Sequence, residues 1–146
     1  KGEVPESEYI LPLGVADIKR EGKDVTIVSF GKIIKEAYKA ADELAEEGIE
    51  AEVIDLRTVR PIDFDAILTS VRKTNRLVVL EEAWPLASIS SEIAYKVQKD
   101  AFDDLDAPVK RVTSLDTPMA YAPTLVEAYL PNKTKLVKAV KEVMYI

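Results

Sequence analysis

At 146 residues, 47% hydrophobic and 32% charged, the chain has the size and composition of one globular domain with its own core. A net charge of −6 argues against a broad surface for nucleic acid or anionic lipid, and no apolar run reaches the roughly 18 residues of a membrane span. Cysteine and histidine are both absent, which removes disulfides, thiolate nucleophiles and the commonest general base and metal ligand. Carboxylates, lysines, tyrosines and hydroxyls remain, so complete catalysis within these residues is disfavoured rather than forbidden.

The opening Lys1–Glu8 is polar, non-periodic and interrupted by Pro5. It lacks the pattern of a secretory signal and reads as a linker, with residues 1–13 leading into a domain over 14–146. Val15–Arg20 is a short strand candidate, Glu21–Asp24 a turn, and Val25–Phe30 a β-branched strand. So short a turn predicts an antiparallel hairpin, with the first strand at the sheet edge.

From Gly31 the period becomes helical. Ile33, Ile34, Ala37, Ala41, Leu44 and Ala45 recur on one side, and Lys35, Glu36, Lys39, Asp42 and Glu43 take the other. Gly48 is a fitting stop, and Ala51–Leu56 follows as a strand, completing a βαβ unit. Pro61-Ile62-Asp63 opens the next helix, with Asp63 as cap and Ile62 and Ile67 as a hydrophobic staple. Leu77–Leu80 is a continuously apolar strand, as expected of a parallel strand covered on both faces.

Ile89, Ile93, Val97 and Ala101 mark a third helix, and Val109–Thr113 a last strand. Pro118–Pro131 is too rich in proline for long regular structure. A final helix starts near Asn132, with Leu136, Val137, Val140, Val143 and Met144 on one face. The alternation predicts a three-layer α/β domain with a mostly parallel sheet and an antiparallel edge strand.

The glycines, at 2, 14, 22, 31 and 48, fit neither GxGxxG nor GxxxxGK, and no GDG metal-site signature is present. Ligands of open α/β sheets favour the carboxyl ends of the strands, where Ser29–Gly31, Asp55–Pro61 and Glu81–Pro85 should lie. Ser29 and Gly31 offer backbone N–H groups to an anion, or simply a cap and a tight turn. Arg57 and Arg60 suit a carboxylate or phosphate, or tie loops and subunits together. Glu81 and Glu82, adjacent on a strand, should point to opposite faces rather than form an acid/base pair. Trp84 is either an interface anchor or a core residue under a loop. Ser88, Ser90 and Ser91 should cap the following helix.

Several runs resemble the beta subunit of the pyruvate dehydrogenase decarboxylating component, a 2-oxo-acid dehydrogenase. They are Val25–Phe30, Glu46–Thr58, Arg60–Asp63, Thr74–Pro85, Leu105–Val109 and Asp116–Pro123, in the family's order and spanning nearly the whole chain. Glu3–Gly14 resembles the linker that enters the family's C-terminal, transketolase-like domain. Branched-chain 2-oxo-acid and acetoin dehydrogenases share this architecture, but Arg60–Asp63, Glu82–Pro85 and Tyr121–Pro123 look more like the pyruvate type.

The resemblance implies a parent enzyme that decarboxylates pyruvate with thiamine diphosphate and magnesium, bound outside this region, and passes the acetyl group to lipoyl-lysine. It implies an assembly role for the domain, with no catalytic, cofactor or metal residue of its own. The implied partners are an alpha subunit, a second beta subunit in a heterotetramer, and the peripheral-subunit-binding domain of a dihydrolipoyl acyltransferase, met through Asp106 and the Ile146 carboxylate. Spacing alone leaves Asp106 open to a plainer reading as a turn residue before Pro108. The implied compartment is the bacterial cytoplasm, or the mitochondrial matrix in a eukaryote. A stand-alone module binding a small anion at the strand ends is the alternative from another class. Met119-Ala120-Tyr121 in place of Met-Pro-Tyr, and the added Asp103-Asp104, depart from the family pattern.

Overall fold

The computed structural model describes residue 4 and residues 6–146. Residues 1–3 and 5 of the expected linker lie outside the described residues. Residues 14–16 are pinned to a later loop: the Gly14 N–H donates to Thr58 Oγ1 at 3.0 Å and the Ala16 N–H to Asp63 Oδ2 at 2.9 Å.

Five strands, β1 (Asp17–Arg20), β2 (Val25–Ser29), β3 (Ala51–Asp55), β4 (Leu77–Leu80) and β5 (Lys110–Val112), form one sheet in the order β1-β3-β2-β4-β5. The last four are parallel to one another and β1 is antiparallel to β3. Five α-helices accompany them: α1 (Ile34–Glu46), preceded by a 3-10 turn at Gly31–Ile33, α2 (Phe64–Thr74), α3 (Ile89–Asp100), α4 (Pro123–Tyr129) and α5 (Lys133–Met144).

Alternation along each strand divides the core into two layers. Val25, Ile27, Val53, Val78 and Leu80 meet α1 and α5 on one face, while Val28, Ile54, Leu77 and Val79 meet α2 and α3 on the other. The strands therefore read as continuous apolar runs because both faces are covered. Each fully buried Leu or Ile contributes about 1.5–3 kcal/mol of transfer free energy. Local signals act as expected: Asp63 accepts from the Ala66 N–H at 3.0 Å and Ile62 packs against the layer containing Ile67. Asn132, expected only as the start of the last helix, also caps α5 by accepting from the Lys135 N–H at 3.0 Å.

One expectation needs correction here. The first strand is an antiparallel edge, but it pairs with β3 rather than with β2, so there is no hairpin. Glu21–Asp24 passes over the start of β3. The Lys23 and Asp24 N–H groups both donate to the Glu50 carbonyl at 3.0 Å, and the Glu50 N–H donates back to Asp24 Oδ2 at 2.7 Å. Two inter-strand spacings amount to about 10 Å, within the roughly 13 Å reach of four extended residues. A short connection is therefore long enough to skip one strand. The proline-rich stretch holds no long element, as expected: it contains the seven-residue α4, with Pro123 in its first turn, where the missing N–H costs nothing.

Candidate functional site

The three expected loops follow β2, β3 and β4 and lie at the carboxyl edge of the parallel strands. The Ser29 hydroxyl is buried and donates to the Leu80 carbonyl at 2.9 Å, while the Ser29 carbonyl accepts from Leu56 N–H at 3.0 Å. Ser29 thus locks β2 to both neighbours. Gly31 turns the chain with φ 68°, and a side chain built there would meet nothing within 4 Å.

Arg57 also has positive φ, 57°, held by its N–H donating to Asp55 Oδ1 at 3.0 Å. Its guanidinium pairs with Asp17 of the edge strand, which Lys19 also engages. The hydrogen bond from Lys19 and the nearby Arg57 charge together hold the Asp17 carboxyl below its ordinary range. Arg57 therefore ties the β3 loop to β1. Arg60 is exposed beside a cis bond to Pro61.

Glu81 and Glu82 diverge as the strand geometry requires: Glu81 is 1% exposed and Glu82 lies at the surface. Glu81 Oε1 accepts from the Ser90 N–H at 3.2 Å and from the Ser90 hydroxyl, whereas Oε2 is buried without a partner among the described residues. The cap of α3 is thus the Glu81 carboxylate, delivered from the end of β4 to the positive end of the helix. The expectation for the serines changes accordingly. Ser88 occupies the cap position but makes no side-chain cap bond, its hydroxyl instead lying 2.9 Å from that of Ser90 and 3.2 Å from that of Ser91. Arg111 completes this end by donating to Ser91 Oγ at 2.6 Å and the Pro85 carbonyl at 2.8 Å.

Trp84 is 55% exposed, which rules out the core reading, and its indole N–H donates to the Tyr129 hydroxyl at 2.7 Å. Leu86, Met119, Tyr121 and Leu125 are also exposed. A cavity of about 330 Å³ opens beside Trp84, Met119 and Tyr129, and a second of about 430 Å³ adjoins it, sharing Glu82 and Leu130.

Asp106 and Ile146 lie at the opposite, amino edge of the strands. The Asp106 N–H donates to the Asn75 carbonyl at 2.9 Å, just before β4, and its carboxylate pairs with Arg76 at 3.1 Å while remaining exposed. The Tyr145 hydroxyl donates to the Asp106 carbonyl at 3.3 Å, bringing the neighbour of exposed Ile146 onto the same surface. The candidate residues thus fall into two groups at opposite edges.

A third polar cluster at the amino edge has no counterpart among the sequence expectations. Glu52 on β3 is 1% exposed and pairs with Lys73 of α2, which also reaches Glu21 at 3.3 Å. Burial pushes the Glu52 carboxyl upward, but Lys73, Ser70 and the Gly22 N–H together hold it below the usual glutamate value, and Glu52 raises Lys73 in return. Beside them Thr26, Ser70 and Thr74 share hydrogen bonds of 2.6 and 2.7 Å. A polar residue inside an otherwise apolar strand was the available signal. Among the described residues no three acidic side chains gather to hold a metal, and no helix is long and apolar enough to cross a membrane.

A family model described as the transketolase C-terminal domain matches residues 14–136. The chain belongs to that family. This transketolase C-terminal domain is 51% identical over 144 residues to the acetoin:2,6-dichlorophenolindophenol oxidoreductase subunit beta of Bacillus subtilis (strain 168), covering 99% of the chain and 42% of the relative. It is 48% identical over 138 residues to the mitochondrial pyruvate dehydrogenase E1 component subunit beta of Dictyostelium discoideum, covering 94% of the chain and 39% of the relative. A solved split-gene transketolase, described as an inactive beta4 tetramer, superposes with a TM-score of 0.85 at 30% identity, covering 99% of this chain and 46% of that one. The domain thus spans about two fifths of the length of these curated relatives.

Proposed function

We propose that this domain is the C-terminal part of a pyruvate dehydrogenase beta subunit and that it serves assembly and docking. The parent enzyme decarboxylates pyruvate with thiamine diphosphate and magnesium held outside this domain, and transfers the acetyl group to lipoyl groups. The isolated domain is catalytically inactive.

The observation that carries the docking role is the adjacency of Asp106 and the Tyr145–Ile146 end, 39 residues apart at Tyr145, on one exposed surface. The Asp106 carboxylate offers an anionic group to a basic partner, with exposed Ile146 close by on the same surface. That partner is the peripheral-subunit-binding domain of the dihydrolipoyl acyltransferase. The alpha subunit and a second beta subunit complete a heterotetramer. The carboxyl edge, where Trp84, Leu86, Met119 and Tyr121 stand exposed, suits contacts with them. A similar structure described as an inactive tetramer of beta chains supports the reading of a subunit inert without its companion.

Asp106→Ala in the assembled enzyme should weaken acyltransferase binding at least tenfold, because truncating one partner of a desolvated interfacial ion pair costs about 2–5 kcal/mol. Unchanged affinity by calorimetry would remove Asp106 from the contact.

The pyruvate assignment draws on Arg60–Asp63, Glu82–Pro85 and Tyr121–Pro123. The identity to the Bacillus subtilis protein favours acetoin as a second reading. Turnover of pyruvate, acetoin and branched-chain 2-oxo acids by the reconstituted enzyme separates them. The corresponding compartment is the cytoplasm of a bacterium or the mitochondrial matrix of a eukaryote.

A further inference from the structure

Strand β5 forms an open edge of the sheet, because it pairs with β4 alone. The Val112 carbonyl accepts from the Glu81 N–H at 3.1 Å and the Ser114 N–H donates to the Ala83 carbonyl at 3.0 Å, so Val112 and Ser114 turn their backbone groups toward β4 and its continuation. Arg111 and Thr113, one residue out of phase, turn theirs outward. An edge with free N–H and C=O groups is a template for another extended chain. A cavity of about 380 Å³ runs along it, lined continuously by residues 110–116 and faced by Lys135, Lys138 and Ala139 of α5. Lys110 points toward α5, where it pairs with Glu142, whereas Arg111 points the other way, toward Ser91 of α3. A groove that touches both side chains lies across the edge rather than on one face of the sheet.

The charge of this groove is opposite to that of the chain. Its lining carries four cations, at 110, 111, 135 and 138, against two carboxylates, at 116 and 142, in a protein of net charge −6. Lys110 and Glu142 neutralise each other. Arg111, Lys135 and Lys138 enter no ion pair among the described residues. Arg111 is half-buried and fixed by two neutral acceptors, the Ser91 hydroxyl and the Pro85 carbonyl, both through Nη1. Lys135 Nζ donates to the Ala128 and Leu130 carbonyls, each at 2.7 Å. Two of the three unpaired cations are therefore held in position before any partner arrives.

We propose that this edge takes up an extended acidic segment of another protein, which adds to the five-stranded sheet as a further strand. Backbone bonds to Arg111 and Thr113 supply the pairing, and carboxylates select the partner. Lys135 and Lys138 stand three apart on α5, where helix neighbours are about 5–6 Å from each other. Alternate residues of a strand are about 6.6 Å apart and share a face, so carboxylates at alternate positions reach both lysines. A carboxylate between them faces Arg111, whose planar fork suits it. The segment thus carries three consecutive acidic residues. A second copy of this chain fits poorly, because antiparallel pairing centred on Arg111 would set like charges opposite one another. Asp106 and the exposed Trp84, Leu86, Met119 and Tyr121 line no part of the groove, so this reading and the proposed function fail separately.

The test is calorimetry, thermal denaturation and light scattering of the 146-residue chain with three end-capped peptides. They are Val-Glu-Glu-Glu-Val, its Val-Gln-Gln-Gln-Val counterpart, and the acidic peptide N-methylated at its central amide. The acidic peptide should bind saturably, raise the melting temperature and weaken as salt is added. Both altered peptides should bind at least tenfold more weakly. Lys138→Glu should lose at least fivefold in affinity while unfolding at the wild-type temperature without peptide, since Lys138 is exposed. Lys99→Glu, on exposed α3 surface, should leave the affinity unchanged. Absence of binding at millimolar peptide, equal binding of the glutamine or N-methylated peptide, or undiminished affinity in Lys138→Glu would each overturn the proposal. So would a dimer in light scattering that the acidic peptide dissolves, which would assign the edge to a second copy.

Discussion

Gly22→Ala probes the passage of the chain over β3 more sharply than any core substitution. A Cβ at residue 22 would overlap the Glu52 nitrogen and the Ala51 carbonyl carbon and would stand 2.5 Å from the Glu50 oxygen. All three neighbours are backbone, so no side chain can rotate away and the connection must lift off the strand. Lifting strains the Lys23 and Asp24 bonds to Glu50, both 3.0 Å, and the Gly22 N–H bond to Glu52 Oε2 at 3.3 Å. Overpacking costs about 1–3 kcal/mol, and each weakened hydrogen bond forfeits up to about 1 kcal/mol, which together give about 2–4 kcal/mol. For a domain of this size that lowers the melting temperature by about 5–15 °C. Urea unfolding followed by circular dichroism should show the loss with an unchanged denaturant slope. Gly48→Ala is the control: at φ 83° with open space around it, only backbone strain of about 1 kcal/mol applies. A Gly22→Ala variant within 0.5 kcal/mol of wild type, roughly the scatter of neutral surface changes, would refute the close crossing.

Glu81→Ala should destabilise the domain by about 2–3 kcal/mol in the same assay, since it strips a charged acceptor from the N–H and hydroxyl of Ser90 at the buried start of α3. Glu52, held below its ordinary 4.5, contributes stability that is complete above that value and drains away as pH falls through the depressed folded value. Lys73, raised above 10.5, contributes fully below that value and loses its share as pH rises through the elevated one. Glu52→Gln should therefore flatten the acid limb of a pH–stability curve, and a limb of unaltered slope would count against the pairing. Trp84 is the sole tryptophan and is 55% exposed, so iodide should quench most of the fluorescence of the isolated chain, with protection on assembly with an alpha subunit. Resistance to quenching before any partner is added would contradict the exposed position.

What the sequence determined by itself was local and periodic. Apolar spacing placed β2, β3, β4 and four of the five α-helices, because burial on one or both faces leaves a direct imprint on residue order. Asp63 was legible as a cap because a cap and the N–H that donates to it lie within three residues. The expectation that Glu81 and Glu82 face apart held for the same reason, strand alternation being a property of the backbone. Tertiary structure alone decided the rest. Whether β1 pairs with β2 or steps across to β3 depends on competition among strands for an edge, and the turn length permits both. The Glu81 cap and the Glu52–Lys73 pair join residues 9 and 21 apart, where only the packing of a helix on a strand sets the distance. Arg57, read as a candidate for an incoming anion, is tied to Asp17, 40 residues away. Long-range polar contacts carry no periodic signature, because each depends on where two separate elements come to rest.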